Sequence, residues 1–308
     1  MELVWCRSFL AVHEQGGFTA ASRTLHRSQS RISAHVAALE TELGAQLFHR
    51  DVHPPTLTAA GTAFLPHARA TVTEWQSALA AVAAGQGQVR GNVAVGSVPS
   101  VSAMLIAPLI AEFSETHPEV RFEVHEGANN WLDEALAHRT IELGISPMEI
   151  TPRLGIAQRA LLTDPFRAVV PFDHPAASAG FLELEELAGK PIITTGEAGL
   201  DPHVGLEFRE LLEHVAFDYE RSLAVTQPTT VFSFVRAGLG IGIMGALGTR
   251  IVRDNSLVVV PVNAENASRK IGLRWANTRR LSPAATAFAE ALEAMADREI
   301  AAGRLEAR

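Results

Sequence analysis

The chain has 308 residues, of which 47% are hydrophobic and 19% are charged, and its formal net charge is −8. This length predicts about two domains with hydrophobic cores. The composition excludes a disordered chain, and the longest apolar stretches, near residues 239–247 and 257–262, are far shorter than the roughly 18 residues of a membrane span.

The single cysteine, Cys6, excludes an internal disulfide and a cysteine-rich metal site. The first seven residues place an acid before the first base and do not resemble a signal peptide. We therefore expect a cytoplasmic protein with no membrane partner.

The charge is unevenly distributed along the chain. No Asp or Glu occurs from Gln15 to Leu39, while Arg23, Arg27 and Arg31 recur every four residues. A basic segment inside an acidic protein is typical of a DNA contact, although a solvated helix face would have the same pattern.

The first 58 residues predict short helices joined by tight turns. Thr19 is the expected N-cap of a helix over residues 20–25, and Ser28 begins a longer helix over residues 29–43 that ends at Gly44. The buried stripe of the longer helix is expected at Ile32, Val36, Leu39 and Leu43. Two helices around a short turn form a helix-turn-helix, and residues 51–56, with Pro54 and Pro55, form a loop or wing.

Thr58 is expected to begin a long helix that runs to about residue 84 and is followed by a flexible linker at residues 85–88. Its apolar residues are spaced as in a coiled coil, which predicts dimerisation with a second copy of the chain. They are Leu65, Ala68, Val72, Trp75, Leu79 and Val82. The alternative is a helix buried against its own domain.

From Gly91 onward, strands and helices alternate, which predicts an α/β fold with a mixed, largely parallel sheet. The predicted strands are residues 92–96, 119–126, 141–145, 166–170, 191–195, 222–226, 240–244 and 270–276. The predicted helices are residues 100–116, 131–137, 204–214, 230–237 and 283–296.

No catalytic arrangement can be assembled from the order of the residues, so we expect no enzyme, no cofactor and no metal site. Gly240, Gly242 and Gly245 match the GxGxxG pattern of dinucleotide sites, which would make the chain a nicotinamide-dependent oxidoreductase. That pattern requires a strand before the first glycine and a helix after the second. Here a helix is expected to end at Gly238, so this alternative is disfavoured.

Polar residues cluster where predicted strands end and helices begin. These residues are Ser97, Pro99, Ser100 and Ser102 after the first strand, Thr194 and Thr195 at the end of another, and Thr226 and Gln227 before a later helix. Helix N-termini at the carboxyl ends of strands favour anions, and ligands of open α/β sheets bind there. The clusters predict a cleft for a small polar or anionic molecule, with simple helix capping as the alternative.

Together these features resemble the LysR-type transcriptional regulators. The specific part of the resemblance is carried by Phe9, Val12, Gly17 to Ala21 (Gly-Phe-Thr-Ala-Ala), Leu25, Ser28-Gln29-Ser30, Ile32-Ser33, Leu39-Glu40, Leu43-Gly44, Leu47-Phe48, Arg50, Leu57-Thr58 and Gly61. A looser part is carried by Gly91-Asn92-Val93, Phe113, Pro118, Glu142 to Ile145 and Gly238 to Gly242.

The resemblance implies a multidomain α and α/β fold. Residues 1–58 would form a winged helix-turn-helix and residues 59–90 a dimerising linker helix and hinge. A two-lobed effector domain like a periplasmic binding protein would follow, with lobe I from residues 91–163 and 268–308 and lobe II from residues 164–267.

The resemblance also implies the partners and the DNA-binding residues. The partners would be promoter DNA, a small-molecule effector, further copies of the chain in a homodimer or homotetramer, and RNA polymerase in an activator. Because the predicted cleft favours anions, we expect the effector to bear a carboxylate. The DNA-binding residues would be Thr19, Arg27, Ser28, Gln29, Ser30, Arg31, Ser33, Ala34, His35, Arg50 and His53. The other alternative, a solute-binding protein, would lack a helix-turn-helix.

This chain departs from many relatives at three of these positions. Relatives often carry arginine where it has Ala34 and His53, and a small residue where it has Arg31. Because arginine binds guanine through two hydrogen bonds, moving it by about a turn changes the bases that are preferred.

Overall fold

The structure is a computed structural model that describes residues 2–49, 52, 54–85, 88–149, 152–196, 208–212, 216–218 and 220–307. The chain divides into two compact units, residues 1–91 with 138–140, and residues 92–137 with 141–308. No helix among the described residues is long and apolar enough to span a bilayer.

In the part of the N-terminal unit that the structure describes, there are four helices and a two-stranded antiparallel sheet. Its elements are α1 (Leu3–Glu14), α2 (Phe18–Thr24), α3 (Gln29–Leu43), β1 (Phe48–His49), β2 (Thr56–Leu57) and α4 (Ala59–Ala84). The bounds predicted for α3 are confirmed, since the Ser28 hydroxyl accepts the backbone N–H of Arg31 and Gly44 ends the helix at a φ of 65°. Helix α2 differs from the prediction, because Gly17 and not Thr19 occupies its N-cap position.

The core of this unit is formed by α1, α2 and α3 with the strands and the first half of α4. Phe9 packs against Phe48 with ring centroids 5.3 Å apart, and Cys6 is fully buried nearby. A buried carboxylate oxygen of Glu40 accepts the backbone N–H of Leu47 at 2.8 Å and so joins α3 to β1.

The coiled-coil prediction for α4 is corrected in its first half. Ala68 is fully buried in the core of its own unit, and Leu65 and Val72 pack against that core. Apolar periodicity marks the buried face of a helix but does not say which surface covers it. The exposed remainder, Trp75, Leu79 and Val82, is left as the part available to a second copy.

The C-terminal unit is an α/β domain built on one long mixed sheet. Its strands are β3 (Gly91–Ser97), β4 (Val120–Glu126), β5 (Leu143–Pro147), β6 (Ile156–Pro171), β7 (Leu182–Glu183), β8 (Ile192–Thr195), β9 (Leu223–Val225), β10 (Ile241–Gly245), β11 (Leu257–Asn263) and β12 (Ser268–Ala276). The strand order is β4-β3-β5-β12-β6-β10-β8-β9, with β11 beside β6 and β7.

Helices cover this sheet. They are α5 (Pro99–Val101), α6 (Ala107–Thr116), α7 (Asn129–Ala137), α8 (Pro175–Ala179), α9 (Arg209–Leu212), α10 (Pro228–Arg236), α11 (Ala246–Thr249) and α12 (Pro283–Ala301). A π-helical turn at residues 102–106 joins α5 to α6, and a 3₁₀ turn covers residues 184–187. Of the helix predicted over residues 204–214, the structure describes only the part that contains α9.

The prediction of a largely parallel sheet is wrong at its centre. Strands β6 and β12 run antiparallel to each other, and both run antiparallel to all their other neighbours for which a direction is assigned, β5, β10 and β11. The parallel pairs with an assigned direction, which are β3 with β5, β8 with β9 and β10, and β7 with β11, lie outside this centre. The predicted strand over residues 166–170 is only the second half of β6.

Strand β6 belongs to both halves of the sheet. Its residues 156–165 pair with β12, and its residues 166–171 pair with β10 and β11. We call strands β3, β4, β5 and β12 with the helices that pack on them lobe I. Strands β7 to β11 with the helices that pack on them are lobe II.

Candidate functional site

The N-terminal part of α3 presents polar or small side chains to solvent. Gln29, Ser30 and Ala34 are exposed, and the Gln29 amide donates a hydrogen bond to the Ser33 hydroxyl at 3.1 Å. The hydroxyls of Ser28 and Ser30 lie 3.1 Å apart. This surface, which we call the α3 surface, is polar and preordered by local hydrogen bonds.

Three cations accompany the α3 surface. Arg23, Arg27 and Arg31 are exposed, and none of them forms an ion pair with any residue that the structure describes. Exposed and unpaired guanidinium groups are available to an anionic partner. Thr19 is exposed near the start of α2, whereas Arg50 and His53 lie outside the described residues.

His35 differs from the rest of the α3 surface because its ring is half-buried against α1. Its Nδ1 lies 2.8 Å from the hydroxyl of Ser8, which is fully buried and donates a hydrogen bond to the carbonyl oxygen of Val4 at 2.9 Å. Burial lowers the pKa of His35, and the positive charges of Arg31 and Arg27 lower it further.

In lobe I the predicted serines lie at the end of β3 and are buried. The hydroxyls of Ser97 and Ser102 lie 2.6 Å apart, and Ser100 is buried in α5 directly after the half-buried Pro99. The residue at the N-cap position of α5 is Val98, whose side chain forms no capping bond. These serines are therefore not the caps of α5.

In lobe II the predicted residues lie at the ends of β8 and β9. Thr194 is fully buried and Thr195 half-buried, whereas Thr226 and Gln227 are exposed. Gln227 occupies the N-cap position of α10, but its side chain makes no capping hydrogen bond. Residues 197–207, which follow this edge, lie outside the described residues.

The two lobes meet at these strand ends. Helix α5, which follows β3 in lobe I, packs against α11, which follows β10 in lobe II. The structure thus brings the start of one helix beside the carboxyl end of the opposite parallel set, where open α/β sheets bind ligands.

The glycine pattern at residues 240–245 is not a dinucleotide loop. Gly242 lies within β10, where a Cβ atom would come within 2.8 Å of Val231 and 3.0 Å of Val169. A Cβ atom on Gly245 would collide with Asp164 and Arg269. These glycines allow close packing and leave no room for a pyrophosphate.

A buried ion pair that the sequence does not predict joins the two strands between the lobes. The guanidinium of Arg269, on β12, contacts Asp164, on β6, at 2.8 and 2.9 Å. The other oxygen of Asp164 accepts the backbone N–H of Leu247 at the start of α11. One carboxylate therefore connects β6, β12 and lobe II.

A second buried cation lies in lobe I. Arg274 is fully buried on β12, 2.6 Å from the carboxylate of Asp133 and 3.6 Å from that of Glu149, and it donates a hydrogen bond to the Ser146 hydroxyl. Burial raises the pKa of Asp133, and Arg274 partly offsets that rise. A charged residue inside an apolar strand is the only sequence signal for this cluster. No group of three metal-ligating side chains occurs among the residues that the structure describes.

Family models match both units of the chain. Residues 3–62 match the bacterial regulatory helix-turn-helix protein of the lysR family, and residues 86–297 match the LysR substrate binding domain.

Relatives match along most of their length. The uncharacterized HTH-type transcriptional regulator YnfL of Escherichia coli K12 is 30% identical over 296 residues, 94% of this chain and 96% of that protein. The HTH-type transcriptional regulator ShiR of Corynebacterium glutamicum is 30% identical over 285 residues, 89% and 92% of the two chains.

Solved structures share the fold at lower identity. A full-length variant of OxyR from Pseudomonas aeruginosa is 22% identical with a TM-score of 0.70 and covers 96% of this chain and 97% of its own. Full-length CbnR complexed with its target DNA is 23% identical with a TM-score of 0.68 and covers 96% of this chain and 99% of its own.

Proposed function

The chain belongs to the LysR family of DNA-binding transcriptional regulators with an effector-binding domain, and from that premise we propose which residues read DNA and sense the effector. Residues 1–58 read promoter DNA, and residues 59–90 form a linker helix and hinge that dimerises through its exposed second half. Lobe I, formed by residues 91–163 and 268–308, and lobe II, formed by residues 164–267, enclose a small carboxylate-bearing metabolite. The protein acts in the cytoplasm, and an activating form would also contact RNA polymerase.

The α3 surface supports the reading of bases by the N-terminal part of α3. The first residues of a recognition helix meet base edges in the major groove. Arg31 is exposed without an acidic partner in the described part of the chain, and Gln29 is exposed beside it. Arginine suits guanine and glutamine suits adenine, each pair contributing about 1–3 kcal/mol of discrimination.

The experiment for this role is a gel shift with the full-length protein on DNA flanking its own gene, at two salt concentrations and with competitor DNA. We expect Arg31→Ala to relax the base preference at one position in each half-site. Equal weakening for all sequences would instead make Arg31 a phosphate contact. Arg23→Ala, which removes an exposed arginine of α2, is the matched control and leaves the base preference unchanged.

One observation carries the effector proposal. Buried hydroxyls lie at the carboxyl ends of parallel strands in both lobes, at Ser97 and Thr194, and the residues at the N-cap positions of α5 and α10 use no side-chain cap. The backbone N–H groups at those helix starts favour a carboxylate, because the helix dipole places partial positive charge there. Helix capping, the alternative, is thereby disfavoured.

Small carboxylates are the probes for this site, screened by their effect on the specific gel shift. We expect Ser100→Ala to weaken the response to the active carboxylate while promoter binding without it persists. Ser178→Ala, which removes an exposed hydroxyl in α8, is the matched control. Unchanged effector affinity in Ser100→Ala would remove Ser100 from the site.

The exposed half of α4 supports self-association as a homodimer or homotetramer. Trp75 and Leu79 each keep 49% of their surface exposed, and Val82 keeps 65%. Large apolar side chains in one exposed row are typical of a surface that a partner covers. Sedimentation of the Leu79→Glu variant tests this, and an unchanged oligomeric state would exclude this row from the interface.

A further inference from the structure

The hydrogen bond between Ser8 and His35 determines which ring nitrogen of His35 carries the proton. The hydroxyl of Ser8 has a single proton, and it points to the carbonyl oxygen of Val4 at 2.9 Å. Its lone pairs are left to meet Nδ1 of His35 at 2.8 Å. Both hydrogen bonds form together only when Nδ1 is protonated and donates.

The other nitrogen of the ring is then an acceptor. In a neutral imidazole with a proton on Nδ1, Nε2 has a free lone pair. Nε2 makes no hydrogen bond to the residues that the structure describes, and the ring is half-exposed. Arg31 lies one turn earlier on the same side of α3, so Nε2 flanks the α3 surface.

Burial and two neighbouring arginines favour the neutral form of the His35 ring by lowering its pKa. Burial lowers the pKa of His35 most, Arg31 and Arg27 lower it further, and Glu2, which precedes α1, raises it. Arg31 acts on the ring from α3, Arg27 from the turn before α3, and Glu2 from the start of α1.

We propose that Ser8 is a positioning residue that holds His35 in the Nδ1-protonated tautomer, so that Nε2 accepts a hydrogen bond from the exocyclic amine of an adenine or cytosine in the major groove. The inference rests on the proposed use of α3 as the reading helix. Adenine and cytosine present amine donors at that edge, whereas guanine and thymine present acceptors. Arg31 only donates and His35 only accepts, so neighbouring side chains select opposite base edges.

At low pH, protonation of His35 reverses its base preference while its ring stays in place. Protonation adds a proton to Nε2 and leaves the bond from Nδ1 to Ser8 in place. Nε2 then donates, so an amine at that base position repels it and a guanine or thymine oxygen attracts it. The change is confined to one atom.

The test is selection by the full-length protein from a half-site library, with relative affinities measured at pH 7.5 and pH 5.5. We expect one position per half-site to favour adenine or cytosine by about tenfold at pH 7.5, with that preference weaker at pH 5.5. His35→Ala removes both the preference and its pH dependence. His35→Gln, whose amide both donates and accepts, broadens the preference while keeping the size of the side chain.

Ser8→Ala separates positioning from contact. We expect it to relax the preference severalfold while overall affinity is retained, because His35 can then carry its proton on either nitrogen. Ser22→Ala, which removes a hydroxyl bonded to the Thr19 carbonyl on α2, is the matched control. If Ser8→Ala does not fold, the proposal is tested instead by comparing the pH dependence of base preference between the wild type and His35→Gln.

Three outcomes overturn the proposal. Tighter wild-type binding to all sequences at pH 5.5, abolished in His35→Ala, would make His35 a phosphate contact. If Arg31→Ala relaxes the base preference and His35→Ala leaves it unchanged, His35 alone does not read a base. If neither variant changes any preference, the use of α3 as the reading helix fails with it.

Discussion

Two arginines of the N-terminal unit and two of the C-terminal unit have opposite surroundings. In the N-terminal unit, Arg27 and Arg31 are exposed and have no acidic partner among the described residues. In the C-terminal unit, Arg274 is fully buried, the side chain of Arg269 is only 9% exposed, and both lie within 2.8 Å of carboxylates. A free guanidinium can bind an external anion, whereas a buried and paired one orients the chain around it. Residue type alone therefore does not distinguish a ligand contact from a structural one.

Breaking the buried pairing has the largest expected effect. Asp164→Ala leaves the guanidinium of Arg269 buried without this carboxylate, and the backbone N–H of Leu247 loses its acceptor. We expect the free energy of unfolding, measured by urea titration, to fall by about 3–5 kcal/mol. Glu112→Ala, which breaks the exposed pair with Arg298, should cost only about 0–1 kcal/mol. Equal losses in the two variants would contradict the distinction between the pairs.

Placing a carboxylate beside the exposed arginines should make them less available to an external anion, as the paired arginines of the C-terminal unit are. Ser28→Asp keeps an N-cap acceptor at the start of α3, so stability is retained, but its carboxylate lies beside Arg27 and Arg31 and repels phosphates. We expect specific DNA binding to be lost. Ser28→Ala, the control, should cost about 1 kcal/mol of stability through the lost cap. Intact DNA binding in Ser28→Asp would show that this helix start does not approach DNA.

The smallest expected effect is the dependence of stability on the charge of His35. Its pKa in the folded state lies below the unfolded value, so the unfolded state takes up the proton first. Stability is therefore unaffected above about pH 6.5 and falls as the pH drops from there through the folded pKa. The urea midpoint of wild type should fall more between pH 7.5 and pH 5 than that of His35→Gln. Parallel curves would mean that His35 titrates normally.

Local signals are what the sequence predicts well. Helix α3 begins and ends as predicted, because the Ser28 hydroxyl and the left-handed Gly44 act within one turn of their own positions. The ends of β3 and β8 also lie within one residue of the predicted ends. Ser28, Gln29 and Ser30 of the α3 surface are exposed as predicted, whereas the geometry of His35 depends on Ser8, 27 residues away.

Nonlocal pairing is what the sequence does not predict. The first half of β6 has no clear alternation of apolar residues and is defined by its ladder with β12, more than 100 residues later. Asp164 and Arg269 are 105 residues apart, so the local sequence around either residue does not predict the ion pair. The same holds for α4, because the spacing of its apolar residues does not tell whether Ala68 is covered by its own unit or by a second chain.

The burial of Cys6 makes the chain a suitable background for site-specific labelling. It is the single cysteine of the sequence, it is fully buried in the N-terminal core, and burial raises the pKa of its thiol, so little reactive thiolate forms. A cysteine introduced at an exposed position such as Ser30 or Val82 would be the one thiol that a maleimide dye reaches in the native protein. Fluorescence from such a dye can follow operator capture or subunit exchange directly, with the unmodified chain as the unlabelled reference.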